Sequence, residues 1–162
     1  MKKYLVIGNP IDHSLSPQLH SYWIKNNNID ATYTKKKFEE CDLKNLILQL
    51  RKKKIHGINV TVPFKKTIIP YLDKLTAESE STQSVNTIYT ENDKIIGHNT
   101  DIDGFEQSIK RLKFDLFSKE VFILGAGGVV TSIIYALNKM KVSKIFISNR
   151  TRKKAENLKN LF

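Results

Sequence analysis

The stretch EVFILGAGGVVTSIIYALNKM, residues 120–140, most narrows the folds open to this chain. An apolar strand pattern runs straight into Gly125, Gly127 and Gly128, and a helical pattern begins at once. A strand that passes into a helix through a glycine turn is the first half of a βαβ unit, which needs a parallel partner strand. KIFISNR (144–150) supplies that strand, and TRKKAENLKNLF a second helix. Glycines there allow a tight reversal, and they also let backbone N–H groups at a helix N-terminus approach a pyrophosphate. The sixth place of the usual GxGxxG pattern holds Val130 in this chain, so the turn alone leaves both uses open.

The end of the second strand sharpens the choice. A unit that takes NAD usually carries Asp or Glu about 20 residues on, for the ribose 2′-hydroxyl. SNRTRKK stands there instead, with no carboxylate before Glu156. Arg150, Arg152, Lys153 and Lys154 cluster at this strand end, and a guanidinium suits a 2′-phosphate. The pattern favours NADP over NAD. The plainer reading is a basic helix start, which the helix dipole disfavours unless an anion is near.

Upstream the same alternation runs from the start. Strand patterns cover 4–8, 31–38 and 57–62, with helices at 16–27 and, capped by Asp42, at 42–53. A helix broken at Pro70 is expected over 63–75, and a hairpin pairs 84–90 with 94–100. Over 57–62 the alternation puts Ile58, Val60 and Val62 on the core side and Asn59 and Thr61 opposite. A helix follows from 101, with Phe105, Ile109 and Leu112 as its apolar spacing. The expected class is α/β. Its divisions are an α/β domain (1–101), a connecting helix and hinge (102–118), and a βαβ unit of the dinucleotide-binding kind (119–162).

Composition removes several function classes. A net charge of +11 invites a nucleic-acid reading, but 23 of the 27 basic residues are lysines spread along the chain, so no binding stripe emerges. No apolar run approaches the roughly 20 residues of a membrane span, and the apolar run after Met1 is too short for a secretory signal. The lone Cys41 fits a reducing cytoplasm. His13, His20, His56 and His98 lack metal-ligand spacing, so no metal site is expected.

A polar constellation gathers where elements end. Ser14 and Ser16 in HSLSP precede a helix, where both hydroxyls and the helix N-terminus can face one carboxylate; taken alone, one of them is simply an N-cap. Asn86 in SVNT and Asp101 in GHNTD each pass singly for turn or cap residues. With Asn59, Thr61 and Lys65 they form a set at the ends of neighbouring elements, where α/β ligands bind.

GNPIDHSLSP, GINVTVPFK, SVNT, GHNTD, GAGG and SNRT together resemble the shikimate dehydrogenase family, in its order and at its spacing. The resemblance implies an α/β substrate domain joined to a Rossmann-like NADP domain, and reversible NADPH-dependent reduction of 3-dehydroshikimate to shikimate on the route to chorismate. It implies that Ser14 and Ser16 hold the substrate carboxylate. Thr61 and Asn86 hold ring hydroxyls with Asn59 beside them, and Lys65 paired with Asp101 is catalytic. Cofactor contacts would come from Gly125, Ala126, Gly127, Gly128, Val129, Asn149, Arg150, Thr151 and Lys154. A homodimer is compatible with the resemblance, and quinate is the alternative substrate. Ala77 stands where many relatives carry an acidic residue. The family's chains continue beyond the helix in which this sequence stops, so a shikimate- or NADP-binding fragment with poor turnover is the other expectation.

Overall fold

The computed structural model describes residues 1–159. They form two compact units, 1–99 and 100–162 by chain position. The chain is α/β throughout.

The first unit is built on one mixed six-stranded sheet. Its strands are β1 (Lys2–Gly8), β2 (Ala31–Lys37), β3 (Gly57–Val60), β4 (Lys74–Leu75), β5 (Thr87–Glu91) and β6 (Lys94–His98), in the order β2-β1-β3-β5-β6-β4. β2, β1 and β3 run parallel, β5 turns antiparallel to β3, and β5 and β6 form a hairpin. This reversal brings the start of β5 beside the end of β3, with Asn59 opposite Thr87.

Helices cover both faces of β1, which explains why Leu5, Val6 and Ile7 are all buried. Leu43, Leu46, Ile47 and Leu50 of α2 (Leu43–Arg51) pack with Leu5, Ile7, Ile58 and Val60. On the other face Val6, Ile11 and Tyr33 form a smaller cluster with Ile24 of α1 (Ser16–Asn26). The lysines of β2 lie exposed along the sheet edge, where charge discourages further strand pairing.

Several expectations change here. Val62 is 56% exposed, because β3 ends at Val60 and the chain turns through Thr61 and Val62. Asp42 does not cap α2: its carboxylate accepts from the Glu39 N–H at 3.0 Å, closing a 3-10 turn over Glu40–Asp42. Residues 63–75 hold a one-turn helix, α3 (Phe64–Thr67), a 3-10 turn over Ile69–Tyr71, and then β4. A further helix, α4 (Ala77–Thr82), is capped by Thr76, whose side chain accepts from the Ser79 N–H.

The second unit holds α5 (Asp101–Arg111), β7 (Glu120–Leu124), α6 (Val130–Lys139), β8 (Lys144–Ser148) and α7 (Arg152–Lys159). β7 and β8 pair in parallel in full register. The expected last helix runs on into 160–162, which lie outside the described residues.

α5 packs on α6 within this unit. Its buried residues are Ile102 and Glu106, while Leu112 is 72% exposed. Lys139 Nζ of α6 lies 2.7 Å from Glu106 and 3.9 Å from Asp103, so an ion pair joins the two helices. Phe122, Leu124 and Phe146, on one face of this two-stranded sheet, are exposed.

Candidate functional site

One sheet end of the first unit brings Asn59 and Asn86, two of the polar residues that the sequence singled out, into one hydrogen-bonded cluster. Asn59 is the hub. Its Oδ1 accepts from the Tyr33 hydroxyl at 2.7 Å, and its Nδ2 donates to the Asn86 carbonyl at 3.3 Å and to Thr87 Oγ1 at 3.1 Å. Thr87 Oγ1 in turn donates to Asn86 Oδ1 at 3.0 Å. A continuous chain of hydrogen bonds thus links Tyr33, Asn59, Thr87 and Asn86, and the Ser16 side chain lies close enough to the phenol to favour its ionised form. Within such a chain each group fixes the orientation of the next.

Ser14 joins at the margin, its Oγ accepting from the Ser16 N–H at 3.4 Å. Neither serine makes a side-chain cap bond at the N-cap of α1. Thr61 is anchored by its backbone, its N–H donating to the Ile7 carbonyl at 2.9 Å. Gly8 makes room for it: a Cβ there would stand 2.6 Å from Thr61 Cγ2 and 3.0 Å from the Val62 carbonyl. Lys65, half-buried on α3, is held through its carbonyl, which accepts from the N–H of Val85 at 2.8 Å. That bond ties the lysine's helix to the residue before Asn86. Asp101 is the first residue of α5 and belongs to the second unit.

Tyr33 and Thr87 are site-lining residues that sequence reasoning missed. Thr87 stood within SVNT, and Tyr33 within an alternating strand pattern; neither carries a motif of its own. Burial pushes the Tyr33 phenol up to about 12, with the nearby Ser16 side chain acting weakly the other way. Between its ordinary value of 10.0 and about 12, the unfolded chain releases this proton and the folded chain keeps it. Stability therefore falls as pH rises through that window. Denaturant melts should show the wild type losing stability faster than Tyr33→Phe there, with parallel behaviour below pH 10. Equal slopes above it would count against the burial account.

In the second unit the glycine turn is braced across the strands. Gly125, at φ 112°, needs a residue without Cβ, and its N–H donates to the Ser148 carbonyl at 2.7 Å. Asn149 Oδ1 accepts from the Ala126 N–H at 3.1 Å, and its Nδ2 donates to the Thr151 carbonyl at 2.8 Å. A Cβ placed on Gly127 or Gly128 meets nothing within 4 Å, so packing inside the chain does not demand either glycine. The turn presents bare backbone beside Val129 and the start of α6, and these residues fit a dinucleotide pyrophosphate. Val130 is buried at 5% exposure, filling the place of the usual third glycine. At the end of β8, Arg150 and Lys154 are exposed, while Arg152 is bonded to Glu156 at 2.8 Å. Among the described residues no cluster of His, Cys, Asp or Glu could hold a metal ion.

The profile of the shikimate dehydrogenase substrate binding domain matches residues 6–88, half the chain. The chain belongs to the shikimate dehydrogenase family. The family's shikimate / quinate 5-dehydrogenase profile matches 107–162. A shikimate dehydrogenase (NADP(+)) of Pelagibacter ubique is 56% identical over 99% of this chain and 61% of its own length. The crystal structure of shikimate dehydrogenase from Aquifex aeolicus superposes with a TM-score of 0.93 at 40% identity, over all of this chain and 60% of that one. The enzyme from Thermus thermophilus, solved with NADP(H) and shikimate, gives 0.88 at 27% identity over 99% and 60%. The chain thus spans about three fifths of the length of the family members it matches.

Proposed function

We propose that this chain carries the shikimate-binding unit and the leading part of the NADP-binding unit of a shikimate dehydrogenase, which interconverts 3-dehydroshikimate and shikimate. The hydrogen-bonded run from Tyr33 through Asn59 and Thr87 to Asn86, with Ser16 beside the phenol, is the observation that carries this reading. A ring bearing one carboxylate and several hydroxyls needs donors and acceptors fixed before it arrives, and this run supplies both. Ser14 and Ser16 take the carboxylate, and Thr61 and Asn86, with Asn59 behind them, take the hydroxyls.

NADPH supplies the hydride when bound. Lys65 stabilises the charge that builds on the ketone oxygen and gives up a proton to it; in reverse it accepts the alcohol proton. Asp101 is the carboxylate that the family pattern pairs with this lysine, and a carboxylate beside an ammonium favours its charged form. Gly125 and Ala126, tied by their N–H groups to Ser148 and Asn149, shape the pyrophosphate turn, and the backbone of Gly127, Gly128 and Val129 faces the pyrophosphate. Arg150, Thr151 and Lys154 meet the 2′-phosphate. Partners on this reading are small molecules, without nucleic acid or membrane; among the described residues no helix is long and apolar enough to cross one. The lone exposed Cys41 suits a reducing cytoplasm.

Calorimetry with shikimate and with NADP, each added alone, tests the proposal. Both should bind, since each ligand draws mainly on one unit. Arg150→Ala should weaken NADP about tenfold and leave NAD unchanged, the cost of one charge-assisted pairing. A chain that takes up neither ligand overturns the reading, and equal loss of NADP and NAD overturns the role of Arg150.

A further inference from the structure

The ring that sets Tyr33 in place belongs to a residue with no role so far. His20 follows Ser16 by four residues on α1, so the two side chains leave the same helix face. Its imidazole lies flat on the Tyr33 phenol, with centroids 4.0 Å apart and planes 1° from parallel. Trp23 meets the imidazole edge-on, at 5.3 Å and 79°. Val6 and Ile11 pack with Tyr33 in the same cluster. The phenol is therefore clamped, and its hydroxyl reaches the polar run at Asn59. Two facing rings restrict the torsion that swings that hydroxyl, and an aromatic contact of this kind adds to the area buried.

We propose that His20 is a positioning residue of the substrate site: stacked on Tyr33, it holds the phenol hydroxyl on Asn59 and so fixes the side chain about which the hydroxyl subsite is built. The inference rests on the shikimate-binding reading given above. Burial keeps the imidazole below its usual 6.5, so it is a neutral ring at neutral pH. What it supplies through Tyr33 is shape, not charge. A flat apolar ring should therefore replace it, and a small side chain should not.

The test is calorimetry of the 162-residue chain with shikimate, in the wild type and in Ser14→Ala, His20→Ala and His20→Phe. His20→Ala should raise the dissociation constant about tenfold, and His20→Phe should stay within about twofold of the wild type. His20→Phe keeps the measurement meaningful if His20→Ala folds poorly. Trp23, the sole tryptophan, reports by its emission whether the ring cluster survives in each variant. If the wild type binds and Ser14→Ala weakens binding while His20→Ala does not, His20 has no positioning role and the site reading stands. Equal loss in His20→Phe and His20→Ala also overturns the proposal, because the stack is then not what matters. If the wild type takes up no shikimate, the site reading fails and this inference falls with it.

Discussion

Lys65→Ala should lower kcat by about 10²–10⁴-fold in a turning-over protein that carries these residues, while KM moves only a few-fold. The split follows from where charge appears. The substrate's permanent charge is its carboxylate, assigned here to Ser14 and Ser16, so removing Lys65 costs little binding. The ketone oxygen becomes negative only as hydride arrives, and an ammonium aimed at it acts on the transition state alone. That difference corresponds to about 3–5 kcal/mol of barrier. Lys65→Arg should not restore the rate, since a guanidinium keeps its proton at any working pH and cannot pass it on. The backbone bond from Val85 to the Lys65 carbonyl is indifferent to the side chain, so the fold should survive both changes. Steady-state kinetics on folded variants checks this; a KM rise with unchanged kcat would make Lys65 a binding group instead.

The parts of this molecule legible in its sequence are those whose physics is local. Gly125, Gly127 and Gly128 sit directly between a strand and a helix, and the reversal they make is written in consecutive residues. The period-2 pattern through Ile58 and Val60 is equally local, and both are buried. The pattern then overran, because nothing in Val62 itself says that β3 has ended. α4 escaped notice for a related reason: AESEST is a single polar turn and a half, with no apolar period to reveal it. On α5 the spacing through Phe105 and Ile109 holds while Leu112 lies exposed, and the buried Glu106 gains its meaning only from Lys139, 33 positions on. The site divides along the same line. Ser16, Asn59 and Asn86 announce themselves through motifs, whereas Tyr33 reaches Asn59 across 26 positions and Thr87 meets it only through the antiparallel register of β3 and β5. Asn149 announces itself through SNRT, but the group it braces, the Ala126 N–H, stands 23 residues away.

Asn59→Asp, nearly isosteric, should weaken shikimate binding by about a hundredfold or more. The wild-type side chain accepts once, from Tyr33, and donates twice, to the Asn86 carbonyl and Thr87 Oγ1. A carboxylate keeps the first bond and loses both donations. An anionic oxygen then faces the Asn86 carbonyl across 3.3 Å with no proton between them. Thr87 can answer only by turning its hydroxyl proton to the new carboxylate, which releases Asn86 Oδ1, the acceptor it now serves. Leaving such groups unmatched costs about 1–3 kcal/mol each, and the new charge also repels a ligand that is itself a carboxylate. Protonating the introduced acid returns one donor, so affinity for shikimate should partly recover as pH falls toward 5, while Asn59→Ala, weaker than wild type throughout, should show no such recovery. Binding isotherms at two pH values separate the cases, and an Asn59→Asp protein within about threefold of the wild type at neutral pH would mean that the hub does not organise the ligand site.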